Sequence, residues 1–188
     1  MADDEEVRIA LLRGINVGGN RKVPMAELRG LAAQLGWQDV ESYIQSGNLV
    51  FRSAGTAAAA EAALEEALQG RFGFSVDVVV RSAGEWRRFA SGSPFPDAEQ
   101  ERPNLLHLAL PKAPPQAGAL ERLRPYAKAG ERIELRDEAL WIDFVGGVAK
   151  SRLTPGVLER VVGSTVTARN WRTVQKLAEM ARALGSVP

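Results

Sequence analysis

The sequence predicts an α+β chain of two consecutive βαββαβ units, each an antiparallel sheet with helices packed on one face. Three observations predict it. Short apolar runs alternate with stretches of helical spacing in the order β-α-β-β-α-β-α, and that order occurs twice. In each half a polar turn joins two of the runs into a hairpin. Between the halves, the stretch from Ser91 to Pro103 holds Pro94, Pro96 and Pro103 with few large apolar side chains, the composition of a linker. The expected division is a first unit at 1–92, a linker at 93–103 and a second unit at 104–188.

In the first half, Arg8 to Leu12 is an apolar run stopped by Arg13-Gly14. Pro24 suits the first position of a helix. Met25, Leu28, Leu31, Ala32 and Leu35 follow at helical spacing, and Gly36 supplies the stop. Val40 to Ile44 and Leu49 to Arg52 read as strands around the turn Gln45-Ser46-Gly47-Asn48. Thr56 can cap an alanine-rich helix running to about Leu68. Val76 to Arg81 is the fourth strand, followed by a short helix near Glu85 to Phe89.

In the second half, Leu105 to Leu110 is a strand and Ala117 to Ala127 a helix. Arg132 to Leu135 and Leu140 to Phe144 form a hairpin around Asp137-Glu138. Thr154 caps and Pro155 opens a helix ended by Gly163. Thr165 to Thr167 is a strand, and Asn170 caps a last helix from Trp171 to Leu184. This repeated order is that of ferredoxin-like, or split βαβ, units. A single mixed sheet of six to eight strands is the competing arrangement. Residue-level similarity between the halves is slight.

Composition narrows the function classes. There is no cysteine, which excludes disulfides, thiolate catalysis and cysteine metal sites. With one histidine and no carboxylates clustered at ligand spacing, no metal site and no cofactor is expected. No apolar stretch reaches the roughly 18 residues of a membrane span. The acidic start, Met1-Ala2-Asp3-Asp4-Glu5-Glu6, lacks the layout of a signal peptide, so cytoplasmic residence is the expectation. Net charge is +1, so bulk electrostatics select no partner. From Val145 to Pro188, however, seven basic residues stand against two acidic ones, enough to face an anion or to balance the acidic middle of the chain.

The densest polar motif is Arg13-Gly14-Ile15-Asn16-Val17-Gly18-Gly19-Asn20. Leu11 to Gly19 running on to Lys22-Val23-Pro24-Met25, Tyr43-Ile44-Gln45-Ser46-Gly47-Asn48, and Arg169-Asn170-Trp171-Arg172-Thr173 together resemble the bacterial "domain of unknown function 1697" family over essentially the whole chain. The resemblance implies two ferredoxin-like subdomains, in agreement with the element order. It implies no activity.

Topology brings two of these motifs together. In the spatial strand order 4-1-3-2, the end of strand one lies beside the start of strand three. One rim then collects Arg13, Gly14, Asn16, Gly18, Gly19, Asn20, Arg21 and Lys22 with Gln45, Ser46, Gly47 and Asn48, next to the N-terminus of the Pro24 helix. Free backbone N–H groups and the positive end of a helix dipole favour an anion there. Glycines let a ligand approach the backbone, and Arg13 offers a forked donor for phosphate or carboxylate. The competing reading is structural: Gly18-Gly19 turn the chain, Asn16 and Asn48 bridge the loops, and Arg13 pairs with a carboxylate. Arg169, Asn170, Trp171 and Arg172 form a second candidate patch, in which Trp171 also suits the role of an anchor docking the helix on its sheet.

Other signals fail. The glycine loop is neither a Walker A nor a Gly-x-Gly-x-x-Gly motif. His107, inside an apolar run, reads as a satisfied strand residue. Ser46 has no visible base, and Glu27 and Glu41 are the acids nearest the rim in sequence. The stacking aromatics of an RNA platform are missing from strand one, so nucleic acid is not the expected partner. The expectation is a small-ligand binding protein with an anion site of phosphate or nucleotide type at Arg13–Asn20 and Gln45–Asn48. The alternatives are an enzyme on a phosphorylated or nucleotide-like substrate, with no catalytic constellation visible, and an interaction or nucleic-acid-binding protein. The sequence leaves the oligomeric state open.

Overall fold

Apolar periodicity drives eight strands and seven α-helices among residues 5–186, which the computed structural model describes. Met1-Ala2-Asp3-Asp4, the first part of the acidic start, lies outside the described residues. The chain divides into two compact units, Met1–Arg88 with Lys176–Pro188 and Phe89–Gln175. The class is α+β, with one four-stranded antiparallel sheet in each unit.

The first unit runs β1 (Glu6–Leu12), α1 (Met25–Gln34), β2 (Gln38–Tyr43), β3 (Asn48–Ser53), α2 (Ala57–Phe72), β4 (Val78–Ser82) and the start of α3 (Ala83–Ala90), in sheet order β2-β3-β1-β4. One sheet face, with Ala10, Leu12, Leu49, Phe51, Val78 and Val80, packs against Leu28 and Ala32 of α1 and Leu64 and Leu68 of α2. Trp37 stacks flat on Phe51, ring centroids 3.9 Å apart. The opposite face, with Ile9, Leu11, Val50 and Val79, is buried too. Thr56 caps α2 by accepting from the Ala59 N–H at 3.1 Å, and Gly73 ends it in the left-handed region.

The second unit holds α4 (Pro96–Glu101), β5 (Leu106–Pro111), α5 (Ala119–Leu123), β6 (Arg132–Arg136), β7 (Ala139–Asp143), α6 (Pro155–Val162), β8 (Val166–Asn170) and the start of α7 (Trp171–Gly185), in sheet order β6-β7-β5-β8. Ala109, Leu140, Ile142 and Val166 pack with Leu123 of α5 and Leu158 and Val162 of α6. The other face carries Leu108, Trp141 and Arg169, which are cross-strand partners. There Trp171 of α7 meets Trp141, ring centroids 5.7 Å apart. Helices on one face only therefore understate this sheet. Asp137 and Glu138, with φ of 53° and 60°, make the two-residue turn between β6 and β7.

Two local differences from the sequence reading have simple causes. The stretch 93–103 carries α4, because Pro96 sits in the first helical turn, where no N–H is needed, and Phe95 and Ala98 are buried. The helix expected at 117–127 is cut to α5 plus a 3-10 turn at Arg124–Tyr126, where Pro125 removes a donor.

Each sheet has an edge strand guarded by a helix carboxylate. On β4, the Val78 and Val80 N–H groups donate to Glu65 and Glu61 of α2, both at 2.8 Å. On β8, the Val166 N–H donates to Glu159 of α6 at 3.2 Å. These bonds occupy donors that an edge otherwise offers to another chain.

Candidate functional site

The loop 13–23 and the turn 44–47 meet at the end of the first sheet, as the strand order requires. The contact is built around Asn16, whose φ of 55° suits asparagine better than most residues. Its Nδ2 donates to the Gln45 carbonyl at 2.7 Å and to the Val23 carbonyl at 3.0 Å, and its Oδ1 accepts from the Val23 N–H at 2.8 Å. Asn48, fully buried, donates to the Tyr43 carbonyl at 2.9 Å and to Ser46 Oγ at 3.0 Å. The Leu12 N–H donates to the Gly47 carbonyl at 2.8 Å. A Cβ on Gly47 would lie 2.7 Å from both Leu12 Cβ and Ile15 Cδ1, so glycine there permits the close approach of β1 to the turn.

The rest of the loop is differently placed. Gly14, Gly18 and Gly19 have positive φ and open space where a Cβ would stand. The Asn20 N–H closes a small turn onto the Val17 carbonyl at 3.2 Å. Arg21 and Lys22 are exposed and make no ion pair among the described residues. Arg13 is half-buried, and its N–H donates to the Asp77 carbonyl at 2.9 Å. Helix α1 follows directly, and its N-cap, Pro24, gives no side-chain acceptor to the first-turn N–H groups. Val17 and Ile44 flank the Asn16–Gln45 bond and are 68% and 50% exposed. Ile44 holds a φ of 51°, which a β-branched residue rarely adopts.

The rim thus separates into a frame and a tip. Asn16, Gln45 and Gly47 take part in the bonds that hold the two loops together, while Asn48 bonds within its own turn, to Tyr43 and Ser46. Gly18, Gly19, Arg21 and Lys22 are left facing outward.

The Arg169 to Arg172 patch lies on β8 and α7. Arg169 is buried and donates to Thr167 Oγ1 at 3.0 Å and to the Ala168 carbonyl at 2.8 Å. Burial pulls its guanidinium down to about 10. Asn170 caps α7, accepting from the Thr173 N–H at 3.0 Å. Trp171 is the docking anchor described above, and Arg172 is exposed. The first unit has a similar local arrangement on β4. Arg81 donates to the Val80 carbonyl at 2.8 Å, and Ser82 caps α3 by accepting from the Glu85 N–H at 3.1 Å. His107 sits edge-on to Phe144, its Nε2 3.1 Å from the Asn104 carbonyl, and burial lowers its pKa.

Sequence reasoning missed a charged network in the second unit. Fully buried Asp143 accepts from Arg102 and Arg132, whose Nη2 atoms reach it at 2.8 and 2.7 Å. Both arginines also hold Asp97 at 2.7 Å. The hydrogen bond from Arg132, then that from Arg102, holds the Asp97 carboxyl down to about 2. The register pair Arg132–Asp143 on adjacent strands was the available signal.

No helix among the described residues is long and apolar enough to cross a membrane. No curated protein matches the chain. Among solved structures, it is similar to the conserved bacterial protein SP0830 from Streptococcus pneumoniae, with a TM-score of 0.73 and 24% identity, over 95% of this chain and 99% of that one. That likeness bears on the fold alone. The model of a family described as protein of unknown function, DUF1697, matches residues 6–141, a stretch holding both loops of the rim and stopping short of Arg169, and the chain belongs to that family.

Proposed function

We propose that the protein binds a small ligand through a phosphate-type anion at the 13–23 and 44–47 rim, the ligand being a nucleotide or phosphorylated metabolite. The observation that carries this reading is the set of three hydrogen bonds by which the Asn16 side chain pins the loop to Val23 and Gln45. A loop pinned that way presents Gly18, Gly19, Arg21 and Lys22 without further ordering cost, and preorganisation raises affinity. The exposed cations and the first-turn N–H groups of α1 supply the electrostatic attraction. Val17 and Ile44 supply an apolar contact for the uncharged part of the ligand. The fold behind the site is, in this reading, two ferredoxin-like units. The two matching sheet orders and the similar Arg81-Ser82 and Arg169-Asn170 arrangements support that duplication.

A thermal-shift panel of pyrophosphate, nucleoside mono-, di- and triphosphates and sugar phosphates tests the reading. At least one compound should raise the melting midpoint, the rise should shrink with added salt, and R21A/K22A should abolish it. If no compound shifts the midpoint, or the double variant keeps the shift, the reading fails. The exposed Val17 and Ile44 favour one other reading, that the rim is a protein contact. In that case Ile44→Asp would lower the solution mass of an oligomer while no ligand changed stability.

A further inference from the structure

The second unit has an open groove of about 400 Å³ along the outer edge of β6, lined by Phe95, Arg124, Ala127, Glu131, Arg132, Ile133 and Glu134. Its size is within the range of small-ligand sites. It belongs to none of the motifs described above.

Its chemistry is two-signed. Arg132 and Glu134 are alternate residues of one strand, so they share a sheet face about 7 Å apart. Arg132 is fixed: Nε and Nη2 are taken by Asp143 and Asp97, and the guanidinium lies 4.6 Å from the Phe95 ring centroid. Its Nη1 has no protein acceptor among the described residues. Arg124, exposed, and Glu134, half-buried, have no ion-pair partner among the described residues either. Glu131 is already occupied by Ser151 Oγ and the Ala129 N–H. The uncommitted groups are therefore a pair of guanidinium donors and one carboxylate, beside the apolar Phe95 and Ala127, while the Ile133 side chain turns to the core on the other sheet face. Since β6 ends its sheet, its outward backbone groups also lack ladder partners.

A simple anion meets Glu134, and a simple amine meets Arg124. A zwitterion satisfies both. We propose that this groove binds a free α-amino acid with an apolar side chain: its carboxylate on Arg132 Nη1 and Arg124, its ammonium on Glu134, and its side chain against Phe95 and Ala127. Buried Asp143 acts as the positioning residue, because it holds Arg132 in place before a ligand arrives.

The probe is L-leucine, titrated calorimetrically into the full chain beside 4-methylpentanoate, which lacks the ammonium, and leucinamide, which lacks the carboxylate. Leucine should bind saturably, and each analogue about tenfold or more weaker, the loss expected for one charged contact. Arg124→Ala and Glu134→Gln, both at accessible positions, should weaken leucine by a similar factor with an unchanged melting midpoint. R21A/K22A should leave leucine binding intact, which separates this site from the anion rim. The proposal is overturned if leucine fails to bind, if either analogue binds as well as leucine, or if Glu134→Gln binds undiminished.

Discussion

The side-chain amide of Asn16 donates to the backbone carbonyl of Gln45 at 2.7 Å, tying together loops 29 positions apart in the chain. Two further bonds, to the Val23 carbonyl and from the Val23 N–H, bring its side chain to three. Asn16→Ala removes all three and places alanine at a φ of 55°. At about 0.5–1.5 kcal/mol per bond, the loss should be about 2–4 kcal/mol, or a melting midpoint lower by about 5–15 °C. Asn16→Gly tolerates the backbone and loses only the bonds, so it should fall between wild type and alanine. Calorimetric unfolding of the three proteins decides it; an alanine variant as stable as wild type would show that the bridge contributes nothing.

Two glycines separated by the same frame should respond in opposite degree. Gly47→Ala forces a Cβ to within 2.7 Å of Leu12 and Ile15, on a φ of 78°. Gly18→Ala carries only the left-handed backbone penalty, about 1–2 kcal/mol, because its Cβ meets open space. Denaturant midpoints should therefore fall clearly further for Gly47→Ala. Equal losses would mean that β1 and the turn move apart at little cost.

How the sequence foreshadowed this rim is instructive. Element order alone implied that the loop 14–23 and the turn 45–48 converge, because the period-two strands and the turn glycines are local signals. The sequence offered Asn16 both as a bridge between the loops and as a ligand contact, and did not choose between the two. Whether Asn16 points at a ligand or at Gln45 depends on one backbone conformation that its neighbours in space impose. The Asp97-Arg102-Arg132-Asp143 cluster was hidden for a related reason: its members come from α4, the segment after it, β6 and β7, and charge at each position alone reads as surface. Pro96 is ambiguous in the sequence, because proline marks both a linker and a helix start.

That cluster makes a pH-dependent prediction. Asp97 is held down to about 2 in the folded chain, chiefly by Arg132 and then by Arg102. A carboxylate with a depressed folded pKa contributes stability that is complete above its unfolded value of about 4 and is lost as pH falls towards 2. The stability difference between wild type and Asp97→Asn should thus be constant near neutrality and shrink between about pH 4 and pH 2. A difference that does not change across that window would remove Asp97 from the acid response. Asp143→Ala should be more damaging at neutral pH, about 3–5 kcal/mol, since it leaves two arginines around a buried vacancy.

The last prediction concerns the edge of the first sheet. Glu61 and Glu65 accept from the Val80 and Val78 N–H groups, and without them β4 would present two donors in a row of valines. Glu61→Gln keeps an oxygen acceptor and should remain close to wild type. Glu61→Ala leaves the Val80 N–H without that acceptor inside a buried setting, a loss of about 1–3 kcal/mol. The double variant E61A/E65A opens both positions, and strand-to-strand pairing between molecules becomes available. Light scattering at rising protein concentration should show association for the double variant and none for Glu61→Gln. If E61A/E65A stays monodisperse and unfolds like wild type, the carboxylates are not guarding the edge, and the protection of β4 must come from the twist of the strand itself.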